Sequence, residues 1–137
     1  MYPRELTIPM AKDLTEFGFK GLTSPDEVLS SIEGSEGTSL LVVNSVCGCA
    51  AANARPGAKI SIQNEKKPDH CYTVFAGVDR EAVDQARELL LPYPPSSPAI
   101  ALFKEGKLVH MLERHHIEGR TAQMIADNLK MAYDQFC

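Results

Sequence analysis

Apolar residues three or four positions apart predict two helices in the first quarter of the chain. The first covers residues 5–17, with a spacing typical of one buried helical face. Its apolar positions are Leu6, Met10, Leu14 and Phe17. The second begins at a capping signal, in which Ser24 is the N-cap, Pro25 is the first helical residue and Glu27 completes a capping box. We expect this helix to end at Gly34.

Two short, almost entirely apolar runs, residues 38–43 and 71–76, predict strands that are covered on both faces, as in a parallel sheet. A helix is predicted after each strand. The alanine-rich residues 50–55 begin the first of these helices, and Pro56 predicts a kink in it. Asp79 caps the second. The buried face of the second helix comprises Ala82, Val83, Ala86, Leu89 and Leu90.

The last third of the chain predicts a hairpin and a closing helix. Residues 99–103 and 108–112 form the hairpin around the turn 104–107, and the helix follows Gly119. Two strands joined by a helix, then a hairpin and a helix, is the order of the thioredoxin fold. We therefore predict an α/β protein with a thioredoxin-like fold. Its central mixed β-sheet is flanked by helices, it carries an N-terminal helical extension, and residues 1–137 form a single domain.

Composition narrows the function. The chain has 137 residues, 44% hydrophobic and 23% charged, as in ordinary globular proteins. Fourteen Lys and Arg against 18 Asp and Glu give a net charge of −4 with no basic stripe, which argues against nucleic-acid binding. We see neither an apolar stretch of signal-peptide length nor one of membrane-spanning length. We therefore predict a cytoplasmic protein with no nucleic-acid and no membrane partner.

Cysteine usage then points to redox chemistry or metal binding. Four cysteines in a cytoplasmic chain are more typical of catalysis or metal sites than of structural disulfides. Cys47 and Cys49 lie where a predicted strand ends and a helix begins. Free N–H groups and the helix dipole stabilise a thiolate there and lower its pKa. A thiolate attacks disulfides, and a second thiol nearby resolves the product.

The single residue between the two cysteines shapes that chemistry. Cysteines two apart on an extended strand lie about 6.6 Å apart, near the upper limit for a relaxed disulfide. The backbone must therefore fold inward, and we expect Gly48, which has no Cβ, to permit this. A strained and easily reduced disulfide should result. Such a bond suits the opening of mixed disulfides or the reshuffling of others.

Other interpretations of the reactive residues stay open. A zinc- or copper-binding module is the rival function, with a Cys₃His set formed by Cys47, Cys49, His70 and Cys71. Cys71 is otherwise a small buried hydrophobe. Cys137 is either a regulatory or intermolecular thiol or an incidental surface cysteine. His115 and His116 are a proton relay, metal ligands or part of a solvated turn.

Residues 38–57, TSLLVVNSVCGCAAANARPG, closely resemble the bacilliredoxin family of thioredoxin-like CxC proteins. The similarity continues through residues 67–70, 73–77, 95–98 and 114–119. It implies a thiol–disulfide oxidoreductase in which Cys47 is the nucleophile and Cys49 the resolving cysteine. It further implies thiol-modified client proteins as partners and bacillithiol as thiol co-substrate, without a bound cofactor or metal. The reaction implied is removal of bacillithiol from clients, with protein disulfide isomerisation as the alternative.

The resemblance also implies substrate-binding residues around the cysteines. Pro98 corresponds to the cis-proline beside the cysteines, Ser97 offers backbone hydrogen bonds to a bound peptide, and Gly48 lies between the two thiols. Arg55 either meets an anionic carboxylate, such as that of bacillithiol's malate, or is a solvated helix residue. Leu41 stands where thioredoxin buries an aspartate, and the chain has no tryptophan beside its first cysteine. Both departures argue against a general thioredoxin role.

Overall fold

Five strands and six helices make up residues 2–137, the part of the chain described by a computed structural model. The strands are β1 Lys20–Gly21, β2 Thr38–Asn44, β3 His70–Phe75, β4 Ala99–Lys104 and β5 Lys107–Leu112. The helices are α1 Arg4–Thr15, α2 Pro25–Val28, α3 Arg55–Ser61, α4 Arg80–Leu89, α5 Arg114–Ile117 and α6 Ala122–Phe136. Two π-helical turns, Leu29–Glu33 and Ala50–Ala54, follow α2 and precede α3.

The strands form one mixed sheet in the order β1-β3-β2-β4-β5. β1, β3 and β2 run parallel, whereas β4 is antiparallel to β2 and β5 is antiparallel to β4. All seven residues of the central strand β2 are buried, as its apolar sequence predicts. The predicted mixed sheet flanked by helices, preceded by an N-terminal helix, is confirmed.

Each face of the sheet has its own apolar core. On one face the sheet is covered by Val28 of α2, Ile32 of the π-helical turn that follows it, Val83 of α4 and Leu90 directly after α4. On the other, α1, α3, α5 and α6 contribute Leu14, Ala58, Ile117, Ile125, Leu129 and Tyr133. No helix within residues 2–137 is long and apolar enough to cross a membrane. Helix α3 therefore packs against both the sheet and α6 on this face.

Local signals fix several element ends as predicted. The Ser24 hydroxyl caps α2 by accepting the Glu27 N–H at 3.2 Å, while the Glu27 carboxylate accepts the Thr23 N–H, one residue before the expected partner. The hairpin turns at Glu105 and Gly106, both with positive φ. The predicted face of α1 is wrong at its two ends, because Leu6 and Phe17 are exposed while Leu14 alone of the four is fully buried.

Candidate active site

The Cys47-Gly48-Cys49 segment forms the junction between β2 and the helical stretch that continues into α3. The helix begins at Gly48, and the Cys47 carbonyl accepts the N–H groups of Ala50 at 3.0 Å and Ala51 at 3.3 Å. Cys47 and Cys49 are joined as a disulfide with their Cα atoms 5.4 Å apart. The backbone has therefore contracted from its extended spacing of about 6.6 Å, because it has entered a helical turn.

Gly48 is exposed and faces open space. A Cβ built at this position meets no atom within 4 Å, and the backbone here is not in the left-handed region. Gly48 thus permits closure of the ring, but an L-residue would fit this conformation as well, so closure does not require a glycine. The missing side chain leaves the backbone between the two sulfurs open to an incoming substrate.

A chain of hydrogen bonds holds the backbone that leads into the cysteines. Asn44, the last residue of β2, accepts the Ser45 N–H on its Oδ1 at 2.9 Å, and the Ser45 hydroxyl accepts the Cys47 N–H at 3.4 Å. The Asn44 amide also donates to the carbonyl of Met10 in α1 at 3.1 Å. Asn44 and Ser45 are both buried, so this segment has fixed geometry.

Pro98 lies directly beside this segment. β4 begins at Ala99, which pairs with Val43 of β2, so Pro98 continues that pairing toward Asn44. The Ser97–Pro98 peptide bond is cis, as the resemblance implies, and Pro98 is buried. The Ser97 carbonyl accepts a hydrogen bond from the Arg114 guanidinium at 3.3 Å. Within residues 2–137 the Ser97 N–H makes no hydrogen bond, which leaves it available to a peptide.

Arg55 lies inside the fold, which corrects both sequence-based interpretations of this residue. Only 4% of it is exposed, so it is not a solvated helix residue. Its guanidinium donates to the Met10 carbonyl at 3.3 Å and to Asn44 Oδ1 at 3.4 Å, and it forms an ion pair with Asp13 at 3.4 Å. Burial lowers the pKa of this guanidinium, and Asp13 opposes that effect. Its contacts fasten α1 to the cysteine-bearing helix.

Comparison with known proteins decides the family. The disulphide isomerase family model matches residues 2–137. A bacilliredoxin from Cytophaga hutchinsonii is 59% identical over 135 residues, which cover 98% of this chain and 99% of that protein. The chain belongs to the bacilliredoxin family. A second bacilliredoxin, from Halalkalibacterium halodurans, is 51% identical over 136 residues and covers 99% of this chain and 94% of its own length.

Solved structures place this bacilliredoxin-family chain in the thioredoxin fold. The oxidized form of mitochondrial thioredoxin 3 from Saccharomyces cerevisiae superposes with a TM-score of 0.59, over 90% of this chain and 98% of that one. Its sequence identity of 18% carries the fold alone. Family and fold together make the chain a thiol–disulfide oxidoreductase with a Cys-x-Cys pair at Cys47 and Cys49.

The alternative metal set of the bacilliredoxin-family chain is not assembled. Cys71 pairs with Leu40 near the start of β2, and His70 pairs with the residue before it. Four strand positions, about 13 Å, separate Leu40 from Asn44, and Cys47 lies beyond that end. His70 and Cys71 therefore lie at the N-terminal end of the parallel strands, whereas Cys47 and Cys49 lie beyond their C-terminal end. The proposed Cys₃His zinc or copper site is wrong for this reason.

The segment between β5 and α6 borders the cysteine pair, and its charged residues were not identified from the sequence. Arg114 bonds Ser97 as described, and the Asn53 side chain, one helical turn after Cys49, donates to the Arg120 carbonyl. Arg120 also lines a cavity together with Leu112, His116, Met124, Ile125 and Asn128. No ion pair of Arg120 is found within residues 2–137. In the sequence, residues 114–119 stand out only through the family resemblance and a possible turn. Neither feature predicts which residues this segment contacts.

The two adjacent histidines belong to a short helical turn rather than to an open loop. His116 Nδ1 accepts the Glu113 N–H at 3.0 Å, and this bond closes a capping box for α5. Glu113, His115 and His116 bring one ligand atom each within 4.8 Å of one another, a spacing a metal ion could bridge. A metal bound at His116 Nδ1 would have to displace the capping hydrogen bond. The arrangement is explained by the cap itself.

Proposed function

We propose that this chain reduces mixed disulfides between client proteins and a low-molecular-weight thiol, bacillithiol, in the cytoplasm. Cys47 is the nucleophile and Cys49 the resolving thiol. The observation that supports this most directly is the half-buried Cys47–Cys49 disulfide at a helix start, with the exposed Gly48 between its sulfurs and with Pro98 and the unbonded Ser97 N–H beside it. A cytoplasmic location fits because thiols are kept reduced there.

The proposed reaction consists of two exchanges. The Cys47 thiolate attacks the bacillithiol sulfur of the mixed disulfide, and the client leaves as a thiolate. The Cys49 thiolate then attacks Cys47 Sγ and releases bacillithiol, which leaves the Cys47–Cys49 disulfide as product. The positive end of the helix that begins at Gly48 favours the Cys47 thiolate over the thiol at neutral pH. Reduction of this disulfide by a further thiol returns the active form.

A mixed-disulfide trap tests these roles. Cys49→Ser should accumulate a bacillithiol adduct on Cys47 because resolution is blocked, whereas Cys47→Ser should form no adduct. Intact-mass spectrometry after incubation with a bacillithiolated client measures both. A trap in the Cys47→Ser variant would reverse the assignment. The Cys71→Ala variant is the matched control. It removes a thiol at the opposite end of the strands from Cys47, so it should turn over at the wild-type rate.

We further propose that Arg120 binds the carboxylates of the small thiol. This guanidinium is exposed, has no ion-pair partner among residues 2–137, and its backbone is bonded to Asn53 beside the cysteines. It takes the role that sequence reasoning gave to the buried Arg55. Arg120→Gln should slow removal of bacillithiol by about three- to tenfold, equivalent to about 1 kcal/mol.

Reaction with the neutral hydroxyethyl disulfide measures the same chemistry without carboxylates. Its rate should be unchanged in Arg120→Gln. Lys107→Gln removes an equal charge at the hairpin turn. This turn lies at the other end of the strands from the cysteine pair, so both rates should remain as in the wild type. Equal slowing of Arg120→Gln on neutral and anionic substrates would contradict substrate binding.

Protein disulfide isomerisation is the second candidate, and it is favoured by the description of the family model as a disulphide isomerase. It begins with the same attack by Cys47, here on a misplaced protein disulfide. One client presented as its bacillithiol and glutathione adducts, beside scrambled ribonuclease, distinguishes the activities. A faster rate on the bacillithiol adduct supports our proposal. Equal rates on both adducts with faster recovery of ribonuclease would leave an isomerase.

A further inference from the structure

A cavity of about 270 Å³ lies between the end of β5, the segment 113–121 and the first half of α6. It is lined by Leu112, His116, Arg120, Met124, Ile125 and Asn128. Three of these side chains are apolar and three are polar, and none of the six is acidic. Cavities for drug-sized ligands measure about 300–1,000 Å³, so this one suits a short part of a small molecule.

The segment beside this cavity is attached at both ends to the active site. At its start, the Arg114 N–H donates to the Ser96 hydroxyl at 3.3 Å, and the Arg114 guanidinium donates to the Ser97 carbonyl. At its end, the Arg120 carbonyl accepts a side-chain N–H of Asn53, which follows the cysteine pair by one helical turn. The cavity lies between these two attachments, so a molecule bound in it is close to the cysteine pair.

Two neutral side chains of the cavity are hydrogen-bond donors. His116 Nδ1 accepts the Glu113 N–H at 3.0 Å, which leaves the proton of the neutral ring on Nε2. His110 Nε2 donates to Asn128 Oδ1 at 2.7 Å, which leaves the Asn128 amide nitrogen to donate. Neither His116 Nε2 nor this amide nitrogen has a hydrogen-bond partner in the part of the chain that the structure describes. Both donors are therefore available to a ligand.

The Arg120 guanidinium adds an uncompensated positive charge. It is exposed and forms no ion pair with any residue from 2 to 137. The two acids of the same segment are occupied elsewhere, because Glu118 pairs with Arg114 at 3.2 Å and the Glu113 carboxylate caps α5. The cavity thus combines one positive charge and two neutral donors with an apolar wall. This combination is complementary to an anion on a short aliphatic skeleton.

We propose that this cavity binds the malate end of bacillithiol, an inference that rests on the proposed function. Arg120 holds one carboxylate through two parallel N–H···O bonds, while His116 Nε2 and the Asn128 amide donate to the other. The two carboxylates of malate are attached to adjacent carbon atoms, so both fit a cavity of this size. Glutathione carries its carboxylates at opposite ends of the molecule and can place only one of them here. The cavity therefore favours bacillithiol over glutathione.

Free malate, without any thiol, tests the cavity directly. Titrated into the isotope-labelled oxidised protein, malate should cause saturable shifts of the amide NMR signals of residues 112–128. Dimethyl malate, which has the same skeleton but no charge, should cause none.

An isosteric substitution tests the donors of the cavity. Asn128→Asp keeps the acceptor for His110 but replaces the donor by a charged oxygen, so it should weaken malate binding about tenfold or more. Gln135→Glu adds the same charge about 10 Å further along α6 and should weaken binding less than about twofold. A titration that does not saturate, or equal affinities of the two variants, would overturn the proposal.

Reduction of two adducts of one client shows whether the cavity contacts the small thiol. Asn128→Asp should reduce the bacillithiol adduct about threefold or more slowly than Gln135→Glu does. Both variants should reduce the neutral mercaptoethanol adduct at the same rate. Equal slowing of Asn128→Asp on both adducts would place the contact on the client and contradict the proposal.

The proposed function and this inference fail in different ways. Malate binding without a faster rate on the bacillithiol adduct would refute the proposed function and leave a dicarboxylate site. Selective reduction of the bacillithiol adduct without malate binding would refute this inference alone.

Discussion

Arg55 illustrates how a residue with the chemistry of a substrate ligand becomes part of the framework. Its helix faces α1, where Asp13 and the Met10 carbonyl accept its charge and hydrogen bonds. Because the same guanidinium bonds Asn44, it also reaches the hydrogen-bond chain that ends at the Cys47 N–H. Arg55 therefore acts on the cysteines through the backbone that holds them.

Replacing this arginine should cost stability rather than substrate affinity. Arg55→Met keeps much of the side-chain volume but removes the charged donor that the Met10 carbonyl and Asn44 Oδ1 share, so that each keeps only its other hydrogen bond. We expect the free energy of unfolding, measured by urea titration, to fall by about 1–3 kcal/mol. Arg114→Met is the matched control, since its ion pair with Glu118 is exposed, and it should change stability by less than about 0.5 kcal/mol. A stable Arg55→Met protein with weakened substrate binding would contradict this account.

Among the helices, the close contact between α3 and α6 fixes the position of the helix that carries the cysteine pair. Gly57 in α3 lies against α6 so closely that an added Cβ would stand 2.7 Å from Ile125 Cγ2 and 3.1 Å from the Ala122 carbonyl. A glycine is therefore required here by packing. Gly48, at the start of the same helical stretch, has open space around it.

The two glycines form a matched pair for experiment. Gly57→Ala should lower the free energy of unfolding by about 1–3 kcal/mol, because overpacking exceeds the gain in helix propensity of about 0.5–1 kcal/mol. Gly48→Ala should leave stability equal or slightly higher. Thermal and urea unfolding of both variants measure this. Equal stabilities of the two variants would show that the helices can separate without penalty.

Signals carried by neighbouring residues predicted the elements well. The Ser24-Pro25 cap and the turn at Gly106 act within four residues, so their physics is present in the sequence itself. Contacts between distant segments were not predictable in this way. Arg55 meets Asp13 42 residues earlier, and Asn53 meets Arg120 67 residues later. The position of the cysteine pair could be predicted from a strand followed by a helix, but the residues around it could not.

The π-helical turn Ala50–Ala54 shows how a local conflict is accommodated by an element. Pro56 has no N–H, so the carbonyl four residues before it, that of Ala52, loses its α-helical partner. The backbone widens to a π turn over this stretch. The predicted kink at Pro56 thus takes the form of a π turn, placed directly after the cysteine pair.

For the whole molecule, burial of the Cys71 thiol and the Tyr133 hydroxyl makes the free energy of unfolding depend on pH in the alkaline range. Folding raises the pKa of Cys71 from 9.0 to about 11, and burial also raises the pKa of Tyr133. Both groups keep a proton in the folded state that the unfolded chain releases, so stability is full below pH 9 and falls as the pH rises. Cys137 and Tyr72 shift in the same direction.

Urea titrations between pH 8 and pH 11, under anaerobic conditions with the Cys47–Cys49 disulfide intact, measure this dependence. The free energy of unfolding should decline from about pH 9 upward. Cys71→Ala should flatten part of the decline, and Tyr133→Phe another part at the upper end. A stability that rises with pH in this range, or is identical in slope for all three proteins, would contradict the assigned burial.

The central position of β2 provides a way to measure how folding changes the strength of the Cys47–Cys49 disulfide. Its amides are hydrogen-bonded between two neighbouring strands and buried along their whole length, so deuterium replaces them only when the entire chain opens. Their exchange rates in the oxidised and reduced protein therefore yield two global free energies. Around a closed thermodynamic cycle, the difference between these energies equals the change in strength of the Cys47–Cys49 bond upon folding. A strand without any reactive group thus reports how far folding shifts the reduction potential of the pair at its end, with no redox buffer in the sample.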